Sequence, residues 1–103
     1  MIIVRRTFFC KVGQATRVVE ILREFVRITK ESGIPLKNQL VMTDLAGKTD
    51  RVVWAAMTDS MVDPRDIGRQ FFQHQDAQRL FQELSGLIDG AEAELFALEF
   101  REE

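Results

Sequence analysis

Five side chains in this sequence have types that do chemistry. His74 is the only histidine, and histidine alone has an ordinary pKa near neutrality, so it is the natural acid–base candidate. It follows Phe71 by three positions, where a structural or exposed histidine is the plainer reading. Arg5 and Arg6 are adjacent in an apolar run. In a strand their side chains point to opposite sides. An arginine facing an enclosed space would hold a carboxylate or enolate; the competing reading pairs it with Glu92, Glu94 or Asp44. Trp54 either walls a pocket or fills core. Cys10, between Phe9 and Lys11, reads as a buried structural thiol, with no cation or helix start beside it to lower its pKa.

Larger motifs are missing. One His and one Cys, far apart and without HExxH-type spacing, make no metal site. No loop gathers carboxylates, so no metal is expected. There is no Ser-His-Asp order, nucleophile elbow, P-loop or dinucleotide glycine pattern. No cofactor is expected. Thr7 and Asp59 are polar residues without a role, Asp59 belonging to a strand-to-helix loop.

The elements that must position these residues follow from periodicity. Met1 to Lys11 reads as a strand ended by Gly13. Gln14 to Ser32 is the clearest helix: Val18, Ile21, Leu22, Phe25, Val26 and Ile28 share one side, and charged residues fill the other. Gly33 and Pro35 stop it. Leu36 to Leu45 is the second strand, Ala46 to Asp50 a turn, and Arg51 to Thr58 the third strand. Asp63-Pro64 opens a helix, Asp63 as N-cap and Asp66 adding charge to the first turn. His74-Gln75-Asp76 interrupts it, with Asp76 capping a second piece whose stripe is Ala77, Leu80, Phe81, Leu84, Leu87 and Ile88. Gly90 ends that piece, and Ala91 to Phe100 is the last strand. The order is β-α-β-β-α-β. A right-handed crossover then lays both helices on one face of a four-stranded antiparallel sheet. The fold class is α+β, ferredoxin-like, and residues 1–103 form one domain.

The chain has 103 residues, 46% hydrophobic and 29% charged, with a net charge of −2. No basic excess neutralises phosphates, so nucleic acid is not an expected partner. The apolar start is too short for a signal peptide and precedes its arginines, and no stretch approaches a membrane span of ~20 residues. Cytoplasm is the default location. The lone cysteine allows no intrachain disulfide. The strands read as unbroken apolar runs, Val52 to Met57 above all, whereas a sheet with one wet face alternates. Two helices cover one face; a second copy of the sheet is the economical cover for the other, so a homodimer is expected. The competing reading is a monomer whose open face binds another protein or an apolar ligand.

Arg6-Thr7-Phe8, then Lys11 and Gly13, resembles the arginine-threonine-tyrosine stretch followed by lysine, proline and glycine of NIPSNAP-like proteins, a branch of the dimeric α/β-barrel superfamily. Phe8 stands for the tyrosine and Val12 for the proline; the acidic residue before the stretch is Val4 here. Asp76-Ala77-Gln78 through Phe81, then Leu87-Ile88-Asp89-Gly90, is similar to that family's ending before the last strand. The resemblance spans nearly the whole chain and implies a dimeric barrel. Relatives in the superfamily include cofactor-free antibiotic-biosynthesis monooxygenases and haem-degrading monooxygenases. The latter use an asparagine, a tryptophan and a histidine where this chain has Arg6, Phe72 and Gln82. None matches.

Two functions are therefore expected. One is a homodimeric binding or interaction protein without catalytic chemistry, its partner a second copy and a small apolar or carboxylate-bearing ligand. The alternative is a cofactor-independent monooxygenase- or isomerase-like enzyme acting on a small organic substrate. There Arg6 would steady an oxyanion, Trp54 would wall the pocket and His74 would move a proton. Convergence of Arg6, Trp54 and His74 on one pocket separates them.

Overall fold

The computed structural model describes residues 1–47, 50–59 and 63–102. Its elements run β1 (Ile2–Cys10), α1 (Ala15–Glu31), β2 (Lys37–Thr43), β3 (Arg51–Thr58), α2 (Pro64–Phe72), α3 (Gln75–Ser85) and β4 (Ile88–Ala97). The strands form one sheet in the order β2-β3-β1-β4, every neighbouring pair antiparallel. This is the expected ferredoxin-like arrangement. The two apolar-rich strands β1 and β3 lie at its centre.

Amphipathic α1 makes the core. Val18, Ile21, Leu22 and Ile28 are fully buried, with Phe25 nearly so. They meet Phe8, Cys10 and Val52 from the sheet and Phe71, Ala77, Leu80 and Leu84 from the other helices. Each buried large side chain contributes about 1.5–3 kcal/mol of hydrophobic stabilisation. Gly13 and Gly33 bracket α1 in the left-handed region, at φ 80° and 68°, where glycine carries no Cβ penalty.

The strands' period of two divides the sheet residues between its faces. Ile2, Val4, Arg6, Phe8 and Cys10 face the helices with Val52, Trp54, Ala56 and Thr58. Ile3, Arg5, Thr7 and Phe9 share the other face with Val53, Ala55 and Met57. Leu40 and Met42 extend that second face at one edge and Phe96 at the other, and these three are 42–56% exposed.

Several boundaries differ from expectation. His74, not Asp76, caps α3: its Nδ1 accepts from the Asp76 backbone N–H at 3.1 Å. A side chain one position before the helix reaches the first-turn N–H groups, which a residue already inside the helix does not. The stripe stops at Ser85, with Gly86 as the C-cap; Leu87 closes the last turn through its N–H to the Leu84 carbonyl, 2.9 Å. Gly90 does not end a helix but pairs with Phe9 inside β4, beside a register shift at Phe9/Cys10. The last strand is consequently Ile88–Ala97 rather than Ala91 to Phe100. The second strand is shorter than expected, Lys37–Thr43. In the expected turn, Lys48 and Thr49 lie outside the described residues. Asp63 caps α2 as expected, accepting from the Arg65 N–H at 2.9 Å.

Candidate functional site

Between the sheet and the helices lies a cavity of about 500 Å³, within the usual range for small-molecule sites. Its walls are largely apolar, with aromatic rings prominent among them. Trp54 on β3, Phe25 on α1, Phe71 and Phe72 on α2 and Phe81 on α3 form a chain of tilted and edge-to-face rings, successive centroids 5.0–6.0 Å apart. This is the favourable geometry for aromatic quadrupoles. Phe81 on α3 and Leu95 on β4 line the cavity and are themselves exposed.

Trp54 is held by a polar relay. Its indole N–H donates to Gln39 Oε1 at 3.0 Å. Gln39 Nε2 donates to Thr29 Oγ1 at 2.8 Å, and that hydroxyl donates to the Val26 carbonyl at 2.7 Å. The relay ties β3, β2 and α1 together at the cavity wall and satisfies the indole proton, which a buried tryptophan needs.

Among the described residues, Arg6 is the one charged residue lining this cavity. It lies opposite Trp54 on β3 and Ala93 on β4. Glu92 and Glu94 of β4 alternate with Ala91, Ala93 and Leu95 and so point to the other face. There Glu94 accepts from Arg5 Nη2 at 2.7 Å, and the Arg5 guanidinium lies 4.9 Å from the Phe96 ring. Of the two arginines, then, Arg5 takes the expected carboxylate pair, and no described carboxylate pairs with Arg6. Solvent reaches Arg6 through the concavity, yet surrounding protein still desolvates it and pulls its pKa below the ordinary arginine value. It stays protonated at neutral pH.

The structure brings Arg6 and Trp54 to one cavity and places His74 elsewhere. Both imidazole nitrogens are occupied. Nδ1 accepts the α3 cap bond, so the proton sits on Nε2 and is donated to Glu31 Oε2 at 2.8 Å. That bond, with a second from Arg27, holds the Glu31 carboxyl below its ordinary value. Among the described residues lining the cavity the polar side chains are Arg6, Thr29, Trp54 and Thr58; none is a carboxylate, thiol or imidazole. Cys10 is buried, and burial, with Asp50 and Asp44 adding to it, pushes its thiol pKa up. No cluster of three or more potential metal ligands occurs among the described residues. No described helix is long and apolar enough to cross a membrane.

A second concavity, about 640 Å³, lies between the start of α1 and the β2–β3 connection. Apolar and charged residues line it together, and its Arg51 is already paired with Asp44 at 3.3 Å.

Reading the sequence alone missed the ring chain and the relay. Phe25, Phe71 and Phe81 sit at ordinary core spacing, and periodicity does not separate a cavity wall from a filled core. The relay did leave a signal: Gln39 and Thr29 are polar residues beside otherwise apolar stretches of β2 and α1.

No family model matches the sequence, and no curated protein matches it. Solved structures do. A NIPSNAP family protein from Agrobacterium tumefaciens superposes with a TM-score of 0.78 at 19% identity, over 96% of this chain and 94% of that one. An uncharacterized NIPSNAP domain protein from Burkholderia xenovorans gives 0.69 at 15% identity, with both chains covered completely. A protein called antibiotic biosynthesis monooxygenase gives 0.69 at 16%, over 95% of this chain and 98% of that one. Identities this low speak for shared architecture and not for shared chemistry. With its β2-β3-β1-β4 sheet and helices on one face, the chain has the ferredoxin-like fold of the NIPSNAP proteins.

Proposed function

We propose that this protein is a homodimeric small-molecule binding protein that holds an organic ligand between its helices and its sheet. The observation that carries the reading is the cavity with aromatic rings and Arg6 in its wall and, among the described residues lining it, no side chain suited to accept or donate a proton at neutral pH. General acid–base catalysis needs such a group within hydrogen-bond reach of the reacting atom. His74, the candidate from sequence, is engaged by α3 and Glu31 instead. Binding chemistry therefore fits the cavity better than the monooxygenase- or isomerase-like alternative.

The dimer rests on the uncovered sheet face. Ile3, Val53, Met57, Leu40, Met42 and Phe96 present apolar surface there, and soluble monomers rarely expose a contiguous patch of that kind. A second copy packed sheet to sheet covers it with the symmetry most common among oligomers. A cytoplasmic setting suits the single unpaired thiol, and the absence of net positive charge speaks against nucleic acid.

Native mass spectrometry of freshly purified protein tests both parts. The expected spectrum shows a dimer carrying a small organic molecule or taking one up from an added panel of aromatic compounds. A monomer overturns the dimer. A dimer that takes up nothing at millimolar concentration overturns the binding reading.

A further inference from the structure

We infer that the ligand is an organic anion: an aromatic or similarly flat apolar body bearing one carboxylate, which Arg6 receives. This rests on the cavity being a binding site and names what the site selects.

The argument is one of charge left over. Buried or hemmed-in cations are ordinarily paired, because taking a charge out of water is costly without compensation. Arg5, on the outer face, has Glu94 at 2.7 Å. Arg6, on the inner face, is partly desolvated and has no such partner among the described residues. Nor is one within reach by a side-chain rotation in its own sheet row. Its cross-strand neighbours there are Trp54 and Ala93, and the residues two positions along its own strand are Val4 and Phe8. The helices that cover the cavity contribute aromatic, aliphatic, glycine and threonine residues to its lining and no charged ones. Arg6 is exposed to the water that fills the concavity, so its guanidinium stands unpaired where an anionic occupant of the cavity would meet it.

The rest of the site sets the shape of that occupant. Guanidinium donors match a carboxylate in bidentate geometry. Ala93, small and next to Arg6, leaves room beside the guanidinium. The ring chain from Trp54 to Phe81 offers flat apolar surfaces to the remainder of the molecule. A ligand with its carboxylate on Arg6 and its body against the rings satisfies both ends at once.

Calorimetric titration of the native protein with 2-naphthoate and 2-naphthylmethanol separates the parts of this reasoning, because the two probes share a ring system and differ in charge. The acid is expected to bind about tenfold tighter than the alcohol, or better. Arg6→Gln is expected to abolish the preference, so that acid and alcohol bind the variant equally. Arg6→Lys, which keeps the charge but not the fork, is expected to retain part of the preference. Circular dichroism checks that each variant is folded, and the acid–alcohol comparison on the native protein stands without any variant. Equal affinity of the two probes overturns the anion inference while the cavity stands as a site. Binding of neither probe at millimolar concentration overturns the binding reading itself.

Discussion

At the scale of single residues, the side chain with the most reactive chemistry in the sequence is spent on structure. His74 is only 17% exposed. It accepts from the Asp76 N–H and donates to Glu31, so neutral imidazole with its proton on Nε2 fits both bonds. His74→Ala removes the cap and is expected to lower stability by about 1 kcal/mol, read as a lower urea midpoint. His74→Asn keeps a capping acceptor and is expected to recover most of that loss. Neither change is expected to alter naphthoate affinity, since His74 does not line the cavity. The sequence carried His74's uniqueness but not its surroundings: residue type gives a group's range of roles, and only its partners choose among them. Arg6 is the opposite case. Strand alternation already said that one of the two arginines faces the helices; which one lacks a carboxylate depends on register across β4, and that was not readable along a single strand.

At the scale of elements, α1 was legible because a long amphipathic pattern between two glycines has one reading. The end of the chain was not. Gly90 reads as a helix stop, but a glycine within an edge strand beside a bulge serves equally well, and the helix ends at Gly86 instead. β2 contains a further irregularity. Asn38 has φ 52°, and the pairing with β3 shifts register between Lys37 and Leu40. Asparagine tolerates the left-handed region better than most residues, and a β-branched side chain does not. Asn38→Val is expected to cost about 1–2 kcal/mol, whereas Asn38→Gly is expected to be near neutral. Thermal melts of the two variants check this. The nearby relay through Gln39 gives the bulge a further use, since it bends the edge strand at the point where Gln39 meets Trp54 and Thr29.

At the scale of the whole molecule, the sheet has two apolar faces and one layer of helices. A lysine at Val53, near the middle of the uncovered face, would place a charge in any sheet-to-sheet contact. Val53→Lys is expected to convert a dimer to a folded monomer in sedimentation velocity; an unchanged dimer would locate the interface elsewhere. Acid should act through the surface pairs. Glu31 is held down first by His74 and then by Arg27, Glu83 by Arg17, Asp59 by Lys37 and Asp63 by Arg65. A carboxyl whose folded pKa is depressed adds stability above its unfolded pKa and loses it as pH falls through the folded value. Melting temperature is therefore expected to hold above about pH 5 and to decline below about pH 4.5, less steeply in high salt because these groups are exposed.

The irregularity where Phe9 and Cys10 meet β4 decides which arginine is neutralised. Cys10 pairs with Ile88, while Phe9 pairs with Gly90, so one residue of β4 is skipped. If the alignment at Cys10 and Ile88 ran on unbroken, Arg6 would stand opposite Glu92 and Arg5 opposite Ala93. The inner cation would be quenched by its own chain and the outer one left bare. A single bulged residue at the strand's start thus works as an allocation device, sending Glu92 and Glu94 outward and keeping a positive charge in reserve on the inside.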